Sequence, residues 1–234
     1  MSYKVFSLDN EREVTVIKRK GSRHLRLTID SKGTIKVSIP TWAPYQAGLN
    51  FALSKQAWIA ANHTSRPLLQ ANQPIGKAHH LEFIVDDSKF KPSSRISSST
   101  IQVYYPSELN VNDTAVQEVT EKACIRALRQ QAEALLPQRL NILAKQHDFN
   151  YKSVSIKNLK SRWGSCDQDK NIVLSLFLMQ MPWQLIDYVI LHELTHTDVL
   201  RHGPPFWQAL EKTMPDAKSC RNKLRTYQPI LMAN

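Results

Sequence analysis

The 234-residue sequence predicts an α+β protein, β-rich over residues 1–110 and organised around helices and a small antiparallel sheet over residues 111–234. Three observations predict it. Short alternating or β-branched runs, punctuated by turn-forming residues, dominate the first half. Apolar residues at helical spacing open the second half after Asp113. A nearly continuous apolar segment, Trp183–Leu191, then runs directly into His192-Glu193-Leu194-Thr195-His196.

Taken in order, Val14–Ile17, His24–Ile29 and Thr34–Ile39 read as strands. The last two are separated by Asp30-Ser31-Lys32-Gly33, a hairpin turn, and the third ends at Pro40. Leu49–Ala61 reads as a helix carrying Phe51, Leu53, Trp58 and Ile59. Leu81–Val85 and Ile101–Tyr105 read as strands flanking the serine-rich stretch Asp86–Thr100, an exposed loop. Asp113 or Thr114 caps a helix running to about His147, with Val116, Val119, Ala123, Ala127 and Leu128 on one side and Pro137 as a break or kink. Ser153–Ile156 and Asn171–Phe177 are strands around a turn-like Gly164–Lys170. Pro182 belongs to the first turn of the helix that carries the two histidines. No internal sequence repeat is evident.

The pentad His192–His196 has the H-E-x-x-H spacing. A helix puts residues i and i+4 on one face, about 5–6 Å apart at Cβ, so both imidazoles can grip one metal ion. Glu193 points about 100° away around the axis and reaches a metal-bound water without being a ligand. Ile186, Ile190 and Leu194 form one face of the helix, and Leu185, Val189, His192 and His196 nearly the opposite one, which makes it a buried helix. Two histidines and a glutamate left there without partners would be costly, and a metal with its water supplies partners for all three.

A catalytic zinc usually has three protein ligands and one open position. His202 is the leading third ligand, and Glu211 on a following helix is the competitor. On a continuing helix His202 would lie about 15 Å along the axis from His192. The helix must therefore stop soon after Leu200 and turn back, with Gly203 and Pro204-Pro205 shaping the return. Asp187 and Asp198 are nearby carboxylates that read as surface or capping residues. Trp163, Trp183 and Trp207 fit core packing better than a cleft lining.

Composition sets further bounds. Apolar residues make up 42% and charged residues 22%, as in globular proteins. No apolar run is long enough for a membrane span and no hydrophobic leader follows Met1, which places the expected protein in the cytoplasm without a membrane partner. Cys124, Cys166 and Cys220 lack C-x-x-C spacing, so they indicate neither a cysteine zinc site nor a disulfide framework. The net charge is +11, with 15 basic against 8 acidic residues in the first 110 and 16 against 12 thereafter. Arg12, Lys18, Arg19, Lys20, Arg23 and Arg26 cluster in a stretch without aromatic residues, suited to a nucleotide, a nucleic acid or an acidic protein, or simply to solubility.

The block Arg162-Trp163-Gly164-Ser165-Cys166, followed by Asn171–Leu176, Pro182, Tyr188–Leu194, His196, His202 and Phe206-Trp207, resembles the YgjP-like metallopeptidase family of zincin-type proteins. The resemblance extends to the basic N-terminal strands and to the helix with Trp58-Ile59, and is weakest from Gly76 to Asn112. It implies a zincin-like domain over residues 111–234, one Zn²⁺ per chain held by His192, His196 and His202, and Glu193 as the catalytic acid/base. Thr195 and Thr197 stand where relatives are expected to have more apolar or small residues.

The leading expectation is peptide hydrolysis, with Glu193 taking a proton from the metal-activated water and a strand edge before the metal helix holding an extended peptide. An alternative keeps the site but cleaves a nucleotide phosphoanhydride, with basic residues, Arg162 among them, clamping phosphates. A second alternative is a binding module with structural zinc, which would need a fourth protein ligand.

Overall fold

The computed structural model describes residues 2–9, 12–29, 33–62, 68–159, 161–227 and 229–232. Its chain divides into two units, Met1–Pro67 with Ala233–Asn234, and Leu68–Met232, each with its own apolar core.

In the first unit, β1 (Tyr3–Ser7), β2 (Glu13–Arg19), β3 (Arg26–Ile29) and β4 (Ile35–Pro40) form a sheet of order β1-β2-β4-β3. Val14, Val16, Ile35, Val37 and Ile39 alternate onto one face and are fully or almost fully buried, sharing a core with Ala52 and Ile59. The helix expected over Leu49–Ala61 starts earlier and is divided at Lys55 into α1 (Tyr45–Ser54) and α2 (Gln56–Asn62). The expected hairpin pairs β3 with β4 antiparallel. Its turn residues 30–32 lie outside the described residues.

In the second unit, β5 (Pro74–Ile75), β6 (His79–Val85), β7 (Ser93–Ile96) and β8 (Thr100–Tyr105) form a sheet of order β5-β6-β8-β7. Strand β7 lies inside the stretch expected to be loop. This sheet, grouped by sequence with the N-terminal region, shares its core with the following helix α3 (Thr114–Gln146): Leu81, Ile101 and Val103 pack with Val116, Ala123, Ala127 and Leu128. An apolar sheet face needs a cover, and α3 supplies the stripe. Pro137 does not break α3. An interior proline costs about 3 kcal/mol, and fully burying Leu136 and Leu140 beside it contributes a comparable amount, about 1.5–3 kcal/mol each.

The third sheet comprises β9 (Ser153–Lys157), β10 (Gly164–Cys166) and β11 (Asn171–Ser175), in the order β10-β11-β9. The small sheet of this region was expected to be antiparallel. It is mixed: β10 runs antiparallel to β11, but β9 runs parallel to it. The parallel pairing arises because the chain after β9 crosses the end of β11 before folding back as β10. Ser175 fastens that crossing, its N–H donating to the Trp163 carbonyl at 2.8 Å and its hydroxyl to the Leu159 carbonyl at 3.1 Å.

All three sheets share this arrangement, a strand parallel to its second successor with the intervening strand antiparallel at the edge. The topology repeats three times where the sequence shows no repeat, because backbone pairing needs only alternation and turns.

A short 3₁₀ helix (Leu176–Gln180) follows, and then α4 (Trp183–Thr195), with Pro182 as its N-cap rather than inside its first turn. The chain ends in α5 (Pro204–Thr213) and α6 (Ala217–Thr226) before a final 3₁₀ turn at Ile230–Met232. Two ties fix α4. Arg139 of α3 donates both Nε and Nη2 to the Asp187 carboxylate at 2.7 Å each. Lys77, beside the Trp183 ring, donates to the Met181 carbonyl just before the helix begins. Among the described residues, no helix is long and apolar enough to cross a membrane.

Candidate metal centre

Helix α4 ends earlier than the sequence suggests. Its last residue is Thr195 and His196 is the C-cap, five residues before Arg201. No glycine makes this stop. The backbone folds into a turn, the Thr197 N–H donating to the Leu194 carbonyl at 2.9 Å and the Val199 N–H to the Thr195 carbonyl at 2.9 Å. Two threonine hydroxyls add to it: Thr195 Oγ1 donates to the Leu191 carbonyl and Thr197 Oγ1 to the Leu194 carbonyl, each at 2.7 Å. The hydroxyls give these two carbonyls of the last turn an additional donor each. The polar threonines at positions expected to be apolar therefore have a local structural role.

The early turn brings His202 back to the helix. His202 Nε2 lies 2.9 Å from His192 Nε2 and 3.1 Å from His196 Nε2. Tetrahedral ligation at about 2.05 Å places neighbouring nitrogens about 3.3 Å apart, so the spacing suits one small dication with imidazole ligands. The ligating atoms of these three side chains all lie within 4.8 Å of one another. Glu211, the competing ligand, is exposed on α5 and outside this cluster. Asp187 is engaged by Arg139, and Asp198 lies 3.6 Å from Lys170, so neither carboxylate supports the histidines.

The donor chemistry fits a metal. His196 Nδ1 faces the Val199 carbonyl at 3.1 Å and donates to it, which leaves the Nε2 lone pair directed at the cluster. Burial, followed by the neighbouring His196 and His202, pushes the His192 imidazole down to about 3, and burial also lowers that of His196. Both rings are thus neutral near pH 7, the form that ligates metals. His192 Nδ1 is buried without a hydrogen-bond partner. Phe206, fully buried at the start of α5, packs on all three rings, with centroid distances of 4.8, 4.5 and 4.7 Å to His192, His196 and His202. Trp207 lies 5.9 Å from the His202 ring and carries the Arg221 guanidinium on its other contacts, 4.4 Å from its centroid.

Glu193 is 6% exposed, and burial raises its carboxyl to about 8 against the opposing pull of the Arg162 guanidinium. It packs against strand β10 so closely that a Cβ on Gly164 would sit 2.7 Å from Glu193 Oε1. Any larger residue there would push the Glu193 side chain from this place. Glu193 also lines a cavity of about 240 Å³ with Arg162, Trp163, Gly164, Tyr188, Val189, His192 and Leu224. Its lining is mainly apolar, with Arg162, Glu193 and His192 as its ionisable side chains.

Of the three tryptophans, Trp163 lines the cavity, Trp207 supports the histidines and Trp183 lies beside Lys77. Tyr188, Val189, Leu224 and Phe206 were not singled out by sequence as site residues. Tyr188 was within reach, being one helical turn before His192, whereas nothing in the sequence points to Leu224. Cys124 and Cys220 are buried and Cys166 half-buried, all as free thiols. Burial pushes Cys124 up to about 12, and burial together with Glu193 pushes Cys166 up to about 11, so neither is a ready nucleophile.

The profile of the family described as "YgjP-like, metallopeptidase domain" matches residues 23–227. No curated protein matches the chain. Two solved structures are similar to part of it. The metallopeptidase zymogen of Pyrococcus abyssi abylysin is 21% identical over 39% of this chain and 93% of its own, with a TM-score of 0.36. That of Methanocaldococcus jannaschii jannalysin is 22% identical over 38% of this chain and 93% of its own, with a TM-score of 0.35.

Proposed function

Since the chain belongs to the YgjP-like metallopeptidase domain family, we propose that it is a zinc-dependent peptidase whose catalytic centre lies within residues 111–234. His192, His196 and His202 hold one Zn²⁺ per chain, and Glu193 is the general base. The observation that carries this reading is the convergence of three imidazole nitrogens, with the buried carboxylate of Glu193 outside that group.

Bound there, Zn²⁺ would lower the pKa of a coordinated water towards 7 and polarise a carbonyl oxygen. The protein's own groups do the rest. Glu193 accepts the water's proton and returns it to the leaving amine. The Arg162 guanidinium favours its ionised form against the burial that raises it. Gly164 lets the carboxylate approach, and β10, the end strand of its sheet, gives an extended substrate a backbone edge to pair with. The cavity walls formed by Trp163, Tyr188, Val189 and Leu224 favour a substrate with an apolar side chain next to the scissile bond.

The test combines elemental analysis with cleavage of a quenched-fluorescence peptide library by wild type and Glu193→Gln. The expected outcome is about one zinc per chain in both proteins, with turnover reduced by about 10²–10⁴ in the variant. Full activity in Glu193→Gln would overturn the assignment of the base. Hydrolysis of nucleoside triphosphates without peptide cleavage would replace the peptidase with a phosphoanhydride hydrolase at the same metal.

A further inference from the structure

The sheet β1-β2-β4-β3 has two unlike faces. Val14, Val16, Ile35, Val37 and Ile39 face the core shared with Ala52 and Ile59. The residues between them point the other way. On that second face the register sets Tyr3 opposite Ile17, Ile17 opposite Ser38, and Ser38 opposite Arg26. One row across all four strands therefore carries an aromatic ring at one edge and a guanidinium at the other. Arg19, opposite Pro40, stands in the next row. Tyr3 is 64% exposed.

The chain leaves β4 at the same end through Thr41 and Trp42, and Trp42 is 78% exposed. Lys18 steadies this turn, its ammonium donating to the Thr41 carbonyl at 2.9 Å. Lys4 and Lys18 also lie 5.4 and 5.1 Å from the centre of the Tyr45 ring just beyond it. The β2–β3 connection adds Lys20 and Arg23, both exposed. Among the described residues, no carboxylate pairs with Arg19, Lys20, Arg23 or Arg26. Glu13 lies at the opposite end of the sheet, paired with Ser7. The basic run has no aromatic residue in sequence, but the fold brings it two exposed rings from β1 and from the β4–α1 turn.

We propose that this face and the adjoining turn bind single-stranded nucleic acid, with Tyr3 and Trp42 stacking on bases and Arg19, Lys20, Arg23 and Arg26 meeting phosphates. Unpaired cations alone would suit any polyanion. The rings narrow the choice, because an open sheet offers stacking platforms only to bases whose faces are free, and duplex bases hide theirs. Three of the four cations are arginines, which suits bidentate phosphate contacts. The inference is independent of the peptidase reading, since it uses only groups of the first unit.

The experiment is fluorescence anisotropy of a labelled oligothymidylate of about 20 nucleotides with the full chain, across a salt series. Duplex DNA of equal length and phosphatidylserine-containing vesicles serve as competitors. Four phosphate contacts predict a slope of log affinity against log salt of about −3, and a double Arg19→Ala, Arg23→Ala variant about half of that. Trp42→Ala should weaken binding about ten-fold with the slope kept, and Trp42→Phe should restore most of it. All of these side chains are exposed, so thermal melting should be unchanged. Equal affinity for duplex, a Trp42→Ala affinity within about two-fold of wild type, or binding to vesicles but not to the oligonucleotide would each overturn the proposal.

Discussion

His79 and His196 are equally secluded, each 8% exposed, yet their ring nitrogens meet different chemistry. On β6, His79 Nε2 donates to the Ser97 carbonyl at 3.0 Å, and Nδ1 accepts from Gln131 Nε2 at 2.7 Å. The Gln131 amide is fixed in turn by the Lys77 N–H at 2.6 Å and the Ile75 carbonyl at 3.0 Å. Every polar atom in that group has a partner from the protein. In the cluster of His192, His196 and His202, ring nitrogens instead face one another at 2.9 and 3.1 Å. Burial therefore does not distinguish a structural histidine from a proposed metal ligand. What distinguishes them is whether the fold supplies a partner for the second nitrogen.

The largest effect tests that distinction directly. His202→Ala should reduce bound zinc to a small fraction of wild type and peptide hydrolysis by about a thousand-fold or more, and it should remove the rise in melting temperature on adding zinc. His79→Ala should leave zinc content intact and lower stability instead, because Gln131 and the Ser97 carbonyl lose their partner, a cost of about 1–3 kcal/mol. If zinc stays in His202→Ala and leaves His79→Ala, elemental analysis will have reversed the two roles.

Next comes Gly164→Ala, which separates positioning from ligation. The added methyl group displaces the Glu193 carboxylate without touching a histidine nitrogen. Hydrolysis should fall by up to about a hundred-fold, in kcat rather than KM, with zinc content unchanged. Wild-type kcat in this variant would mean that the carboxylate does not act from the place it occupies.

A smaller effect is expected at Gln131→Leu. It removes the amide that links His79, Lys77 and Ile75, and should lower unfolding free energy by about 1–3 kcal/mol in a denaturant titration. Per folded molecule, zinc content and turnover should match wild type. A loss of zinc would show that the two histidine groups are coupled through α3.

The sequence made some of this legible and not the rest, for physical reasons. Strands β2, β4, β6 and β8 announce themselves because one face of each is buried and alternation follows. Strands β1, β7 and β10 sit at sheet edges, β1 mostly exposed and β7 and β10 partly buried with largely polar or small residues, so no buried face imposes a period there, and β10 was read as turn. The pairing of β9 with β11 as parallel neighbours depends on where a loop crosses, which no residue pattern encodes. At the site, the i, i+4 spacing places His192 and His196 on one helix face, and the Gly-Pro-Pro stretch after His202 signals a return of the chain. The close approach of Gly164 to Glu193 joins residues 29 positions apart. Composition cannot reveal such a contact.

The smallest effect concerns the device that makes the return possible. A helix continuing past Thr195 would carry His202 away from His192, so the stop must be local and early. Thr195 Oγ1 donates to the Leu191 carbonyl and Thr197 Oγ1 to the Leu194 carbonyl, adding a donor to each at the last turn of the helix. Thr195→Val keeps the side-chain shape but leaves a buried carbonyl with one fewer donor, which should lower stability by about 1 kcal/mol. Because Thr197 still holds the neighbouring carbonyl, zinc affinity should weaken only modestly in a chelator competition, and Thr195→Ser should recover the wild-type value. If valine keeps the wild-type values and serine loses them, the β-branched shape rather than the hydroxyl matters at this turn, and the dependence on side-chain capping fails.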